Sequence, residues 1–453
     1  MDTPSPNYHL SYVFERFPSF TQTFCVREIL ELERLGIRPL IFSIHDTRRE
    51  NIQHFPPELF DRVHTLPPAD ELVEVVKARK ESNELPQGIV LTLREWGDRP
   101  DKLRVYEAAY IGQEMAQHSV EHAHSHFAGI GARACWWMRA FFGFSFSFTG
   151  HANDIFCEQD PTHTVKLSHL MDRASLVVTV SDYSVARLAE MFPKSRRKVR
   201  RVYNGLDLEP FTEAIGKTKS DPPLILGVGR LIEKKGFDDL IRACASLKQK
   251  GIAFRAQIVG DGPLKAELEA LIKEVNTGER IELVGAKSQD EIIALLGEAS
   301  LFALPCVTEK DGGMDNLPTV IMEAMAAGLP CVSTRLAGVP EMVIPGKTGS
   351  LVSERKPDQL AEAIAEILAN PSEAKEMGQR GLERAGKLFS KSVTTKELAR
   401  HLVQSCQLNF DPALVGSGTV TRADYAAQKR RRLHDAISRA SKPRKRPLEH
   451  FHL

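Results

Sequence analysis

The chain has 453 residues, of which 42% are hydrophobic and 26% charged, and its formal net charge is +1. That is the composition of a soluble globular protein with enough apolar material for two cores, and two or three domains are expected at roughly 100–200 residues each. Charge alone gives no reason for an obligate polyanion partner, and no apolar stretch approaches the ~20 residues of a membrane helix. Seven dispersed cysteines without a Cys-x-x-Cys pair point to reduced thiols. The opening MDTPSPNYHL lacks the basic and apolar regions of a signal peptide, so a cytoplasmic protein is expected.

In chain order, the first chemical pattern is the alternation of His122, His124 and His126, which a strand would put on one face. No neighbouring carboxylate or cysteine completes an evident ligand set, so no metal is expected. Phe142, Phe144, Phe146 and Phe148 recur at period two, the pattern of a strand with one aromatic face, which ends in Thr149-Gly150-His151. Further strands are expected at 175–180, 224–229, 256–260, 281–285, 300–305 and 330–334. Amphipathic helical stretches such as FDDLIRACASLKQK and LPTVIMEAMAAG separate them. The strand runs are nearly all apolar, as parallel strands covered on both faces are. The fold class is therefore α/β with parallel, doubly wound sheets.

The polar run FTEAIGKTKSDPP (211–223) reads as a linker. The expected layout is a first Rossmann-like domain over 1–213 and a second over 214–390. A helix over 391–410 packs back toward the first domain. Segment 411–453 is a basic tail, carrying nine Lys and Arg against Asp435 between Gln428 and Pro447.

Ligands of open α/β sheets bind beyond the carboxyl ends of the strands. After the strand at 224–229, Arg230 and Lys235 supply the cations a diphosphate needs, near a helix start. Gly227-Val-Gly229 begins a dinucleotide fingerprint but fails it at Ile232. After the strand at 300–305, Asp315 precedes a helix and Glu323 lies within its apolar run. A carboxylate in such a run needs a partner, and two carboxylates can accept from sugar and ribose hydroxyls. Met322, Met325 and Ala326 should face the core, with Gly328 as the helix stop. Gly260-Asp-Gly-Pro263 is a tight turn that lets backbone approach a ligand. His151 follows a strand directly and is placed to face a cleft. No Asp-x-Asp occurs to hold a metal on a diphosphate, which leaves that task to Arg230 and Lys235.

Taken together, GVGRLIEKKGFDDLI, VGDGPL, DNLPTVIMEAMAAGLPCVST and AGVPEMV resemble the donor domain of family-4 retaining glycosyltransferases with the GT-B fold. YNGLD, SFTGHANDIF, FPSFTQTF and HAHSHFA extend the resemblance to roughly residues 8–405, toward bacterial exopolysaccharide enzymes of the colanic-acid and amylovoran type. The resemblance implies two Rossmann-like domains facing across a cleft, a nucleotide-sugar donor, no cofactor and no metal. It implies that Arg230 and Lys235 bind the diphosphate, Asp315 the transferred sugar and Glu323 the ribose. Asn316 and Leu317 would offer backbone amides, and His151 would point at the sugar near the reacting carbon. Gly229, Gly260 and Val284 complete the donor side, and Ser19, Phe20, Thr21, His126 and Asp154 stand on the acceptor side. The acceptor would be a glycan or a lipid-linked sugar, with peripheral membrane contact through the basic tail. No nucleic-acid partner is expected. Asp315 and Asn316 stand where Glu and Gly are commoner, which bears on sugar and acceptor identity. The alternatives are a phosphorylase or synthase of the same fold, or a non-catalytic nucleotide-binding protein.

Overall fold

The structure, a computed structural model, describes residues 8–19, 22–95, 101–156 and 162–406. Phe20, Thr21 and the basic tail lie outside the described residues. No helix among the described residues is long and apolar enough to cross a membrane. Two compact units result: residues up to 149, those up to 177 that follow 158, and those from 396 group together, and 178–395 with 150–158 form the other.

Thirteen strands among the described residues build two sheets. The first holds β1 (Leu10–Arg16), β2 (Pro39–His45), β3 (Val63–Thr65), β4 (His122–His126), β5 (Ser145–Gly150), β6 (Leu176–Thr179) and β7 (Val199–Arg201). Their order is β3-β2-β1-β4-β5-β6-β7. The second holds β8 (Leu224–Val228), β9 (Arg255–Val259), β10 (Ile281–Gly285), β11 (Leu301–Leu304), β12 (Cys331–Thr334) and β13 (Gly349–Val352), in the order β10-β9-β8-β11-β12-β13. Paired strands run parallel, as in Leu10↔Pro39, His122↔Ser145 and Leu224↔Arg255. Every residue of β8 and of β11 is buried, which explains their unbroken apolar character.

In each sheet the strand order reverses once: between β1 and β4 in the first, between β8 and β11 in the second. The loops leaving such a pair part to opposite faces and leave a crevice at the strand ends. Four helices flank these crevices: α1 (Thr23–Arg34), α2 (Ile130–Phe142), α3 (Phe237–Gln249) and α4 (Thr319–Ala326). Helix α3 shows why they form: Phe237, Leu240, Ile241, Cys244 and Leu247 recur at helical spacing and are all buried. Each such side chain contributes about 1.5–3 kcal/mol when fully buried.

The strands expected from sequence are all present within a residue or two. The aromatic run differs. Phe146 and Phe148 lie in β5, but Phe142 is the last residue of α2, and Gly143 closes that helix in the left-handed region at φ 79°. Alternation at period two extended into a helix because one aromatic happened to stand at the right offset. Phe142 instead stacks on Phe144, with ring centroids 5.3 Å apart. Met322, Met325 and Ala326 are fully buried, and Gly328 follows α4 at φ 73°, as a helix stop does.

Candidate active site

The crevice of the second sheet is framed by the loops after β8 and β11. Gly229 leaves β8, with its N–H donating to Val259 O at 2.9 Å. Arg230 follows, exposed and without an ion pair among the described residues. A short 3-10 turn, Glu233–Lys235, then delivers Lys235 just before α3. Gly236 is obligatory at that junction: it sits at φ 64°, and a Cβ there would come within 1.9 Å of Pro305 O. This close approach brings the loop after β11 against the loop after β8.

The result is the central contact of the site. Lys235 Nζ donates to Asp315 Oδ2 at 2.5 Å, and Lys234 Nζ lies 3.8 Å from Asp315 Oδ1. The Lys235 and Asp315 side chains are only 14% and 16% exposed. Burial by itself pulls the Lys235 ammonium toward neutrality. The Asp315 carboxylate, helped by Cys306 and Glu323, outweighs it and leaves the lysine raised, so it stays charged. Lys235, Asp315 and Glu323, all expected from sequence, thus share one electrostatic cluster. Lys234 was missed, although its place beside Lys235 was the available signal.

The loop from Pro305 to Pro318 is pinned along its length. Val307 N–H donates to Lys234 O (3.0 Å), Thr334 Oγ1 to Cys306 O (2.5 Å) and Arg355 Nη2 to Thr308 O (2.9 Å). Asn316 is 3% exposed and anchors its end. Its Oδ1 accepts from Ser181 Oγ at 2.6 Å, its Nδ2 donates to Ser184 Oγ at 2.7 Å, and its carbonyl accepts from Gly338 N at 2.9 Å. The side chain of Asn316 is therefore structural; its backbone N–H and that of Leu317 take no hydrogen bond among the described residues. The Leu317 side chain is part of the core. Glu341, in the turn AGVPEMV, likewise accepts from Asp182 N (2.8 Å), Tyr183 N (3.0 Å) and Tyr203 Oη (3.1 Å). Sequence reading missed that capping role because its partners stand well over a hundred residues away.

Helix α4 begins right after this loop. Its N-cap is Pro318, which makes no side-chain cap bond, and its first turn has no acidic residue. Apart from the Ile321 N–H, which bonds Pro318 O at 3.1 Å, its first turn keeps uncapped N–H groups at the positive end of the helix dipole. The neighbouring turn is held by Gly260, at φ 143°, where a Cβ would meet Gly229 O at 1.9 Å. Lys235's stem runs over Gly229, within 3.3 Å of where a Cβ would stand. Val284 lies half-buried at the end of edge strand β10.

His151 follows β5, and its N–H donates to both Asp154 carboxylate oxygens at 2.9 and 3.1 Å. Asp154 thus shapes the turn that carries His151. Ser19, in the first unit, accepts from Gln22 N through its carbonyl at 2.9 Å.

The crevice of the first sheet holds a cavity of about 150 Å³ lined by Glu15, Arg16, Gln22, His126, Phe127 and the start of α2. Glu15 and Gln22 are polar lining residues absent from the sequence-based site. Beneath it, β4 is a buried row of histidines. His122 bonds Ser145 and Ser147 Oγ, both at 2.8 Å, and burial pushes its pKa down to about 3. His126 Nε2 lies 3.0 Å from Glu28 Oε1. Burial alone would lower His126, but Cys25 and Glu28 outweigh it and hold the ring well above its ordinary value. The carboxylate and thiol that no sequence neighbour of His126 supplied therefore come from α1.

Residues 210–384 match the family described as glycosyl transferases group 1, and residues 22–210 match glycosyltransferase family 4. The chain is 31% identical over 399 residues to WcaL of Escherichia coli, assigned to colanic acid biosynthesis as a glycosyltransferase; the match covers 85% of this chain and 97% of WcaL. It is 39% identical over 181 residues to the amylovoran biosynthesis glycosyltransferase AmsK of Erwinia amylovora, covering 40% and 43% of the two chains. A glycosyltransferase from Rickettsia africae superposes with a TM-score of 0.67 at 16% identity, over 89% of this chain and all of that one. HepE of Anabaena, solved with UDP, superposes at 0.59 and 17% identity, over 87% and 100%. Both are likenesses of fold.

Proposed function

This chain belongs to the group 1 and family 4 glycosyltransferases, and from that premise we propose that it transfers a sugar from a nucleotide-diphosphate sugar to a hydroxyl acceptor with retention of configuration. The observation that carries the reading is the cluster at the second sheet's crevice: exposed Arg230, the Lys235–Asp315 pair and the uncapped start of α4. Arg230, Lys235 and the α4 amides meet the diphosphate and stabilise the charge that grows on it as the glycosidic bond breaks. The set is cationic and dipolar, which supports donor binding without a divalent ion. Asp315 and Glu323 accept from sugar and ribose hydroxyls, the backbone amides of Asn316 and Leu317 add donors, and His151 orients the sugar. Asp315 already holds Lys235, so one carboxylate sets both the cation and the sugar.

The acceptor hydroxyl attacks from the face the diphosphate leaves. The C–O bond to phosphate breaks, the new glycosidic bond forms, and a phosphate oxygen takes the acceptor proton. In the first unit, the cavity lined by Glu15, Gln22 and His126 offers hydroxyl-binding groups to the acceptor. The acceptor in this reading is a glycan or lipid-linked sugar, in keeping with relatives named for colanic acid and amylovoran biosynthesis. The basic residues between 428 and 447 suit contact with anionic headgroups, at about 1 kcal/mol per cation.

The test is a panel of UDP-, GDP- and ADP-sugars, scored for binding and for slow nucleotide release without acceptor. One nucleotide series should be turned over without added Mg²⁺ or Mn²⁺, and the transferred sugar should keep its anomeric configuration by NMR. An inverted product, or turnover that depends on added Mg²⁺ or Mn²⁺, would refute the corresponding part of the reading.

A further inference from the structure

In the first unit, Glu28, His124 and His126 each present a ligand atom, and these atoms all lie within 4.8 Å of one another. We propose that they form a structural site for a divalent transition-metal ion, with zinc as the natural occupant. The donor set is two imidazoles and a carboxylate, which suits Zn²⁺ and is poor for Mg²⁺ or Ca²⁺, whose preferred ligands are oxygens. Cys25 stands one helical turn before Glu28 on α1 and hydrogen-bonds His126, so a thiol borders the set.

The surroundings match what metal ligands need. The two ring nitrogens of His124 face Ser147 Oγ at 2.7 Å and Thr149 Oγ1 at 3.0 Å, so the nitrogen that takes the ion gives up its hydroxyl while the other keeps it, and Glu28 Oε1 accepts from Tyr12 Oη at 2.6 Å. Partners of this kind fix ring orientation and ligand basicity around a bound ion. Phe14 stacks on His126 at 5.8 Å between centroids, and Tyr12 packs on His124 at 5.0 Å, forming an aromatic shell that limits water. Glu28 and His126 stand 98 residues apart in sequence. An ion there ties α1 to β4 and fixes His126, which lines the crevice cavity. The ion is a clamp of the first unit; the donor cluster, with its own cations, belongs to the second.

The full chain, stripped with chelator and dialysed, is titrated with Co²⁺ as a visible probe of zinc sites. One tight equivalent with tetrahedral d–d bands, displaced by Zn²⁺, is expected, together with a rise in thermal midpoint of at least about 4 °C with Zn²⁺ and none with Mg²⁺. Glu28→Gln and His124→Gln should each lose that equivalent, whereas combined His434→Ala, His450→Ala and His452→Ala should keep it. A wild-type chain with no tetrahedral Co²⁺ signal overturns the proposal. So does a signal that survives Glu28→Gln with His124→Gln, or one that disappears with the three tail histidines. Should the crevice variants fail to fold, the wild-type spectrum and the tail variant still decide.

Discussion

Lys235 Nζ stands 2.5 Å from Asp315 Oδ2, across two loops that leave β8 and β11 eighty residues apart. The pair sits where the second sheet reverses its strand order, and both members are mostly shielded from water. Lys235→Met should cost about 1–3 kcal/mol, less than a fully buried pair because some solvent and Lys234 still reach Asp315. Adding Asp315→Asn should recover much of that stability, because no carboxylate is left unpaired, while transfer activity stays at least ~100-fold down. Denaturant midpoints and turnover of the two single variants and the double variant measure both. Activity returning with stability would remove Lys235 from the donor site.

Arg230 behaves differently because it is exposed and has no ion pair among the described residues. Arg230→Ala should leave unfolding unchanged within about 0.5 kcal/mol. Loss of a cation aimed at the departing diphosphate should lower kcat/KM by about 10²–10³-fold. Steady-state kinetics beside a thermal melt separate the two effects, and turnover equal to wild type would remove Arg230 from the site.

Asn316 should act through stability. Asn316→Ala removes two buried hydrogen bonds, leaving the Ser181 and Ser184 hydroxyls only their bond to each other, and opens a small void, at a cost of about 1–3 kcal/mol. At a temperature where the variant stays folded, kcat/KM should fall less than about tenfold, since the donor would meet only the backbone N–H. A larger loss in a fully folded variant would show that the side chain itself touches substrate.

Asp239 on α3 gives a pH signature. Burial first, then Asp238, raises its pKa from 3.8 to about 6. The folded state therefore holds a proton the unfolded chain has released between those values, and stability falls as pH rises through that window. Asp239→Asn abolishes the penalty and can still accept the Arg355 N–H bond. The variant should gain about 1–3 kcal/mol at pH 7 relative to pH 4. Unfolding curves at the two pH values check it, and an equal effect at both would contradict the shift.

How the site divides between sequence and fold follows from the range of the signals. Apolar runs and helical spacing are local, so β8 to β12, α3 and α4 could be read directly, with Arg230, Lys235 and Asp315 on the loops after β8 and β11 and Glu323 within α4. Local pattern also misled once: period two carried the aromatic run back into Phe142, where α2's own packing and Gly143 decide the boundary. What the sequence could not express is which distant polar group satisfies which. Asn316 was expected to offer its backbone amide, but nothing near it in sequence says that Ser181 and Ser184 hold its side chain. The histidines of β4 seemed to lack an acidic neighbour until α1 brought Glu28 to His126. A buried polar group must find a partner, but the chain writes that demand at one position and the answer about a hundred residues away. The sequence by itself determined the strands, the helices and where along them Arg230, Lys235, Asp315 and Glu323 stand. Tertiary structure alone decided their pairings, because only packing brings those loops within hydrogen-bond reach.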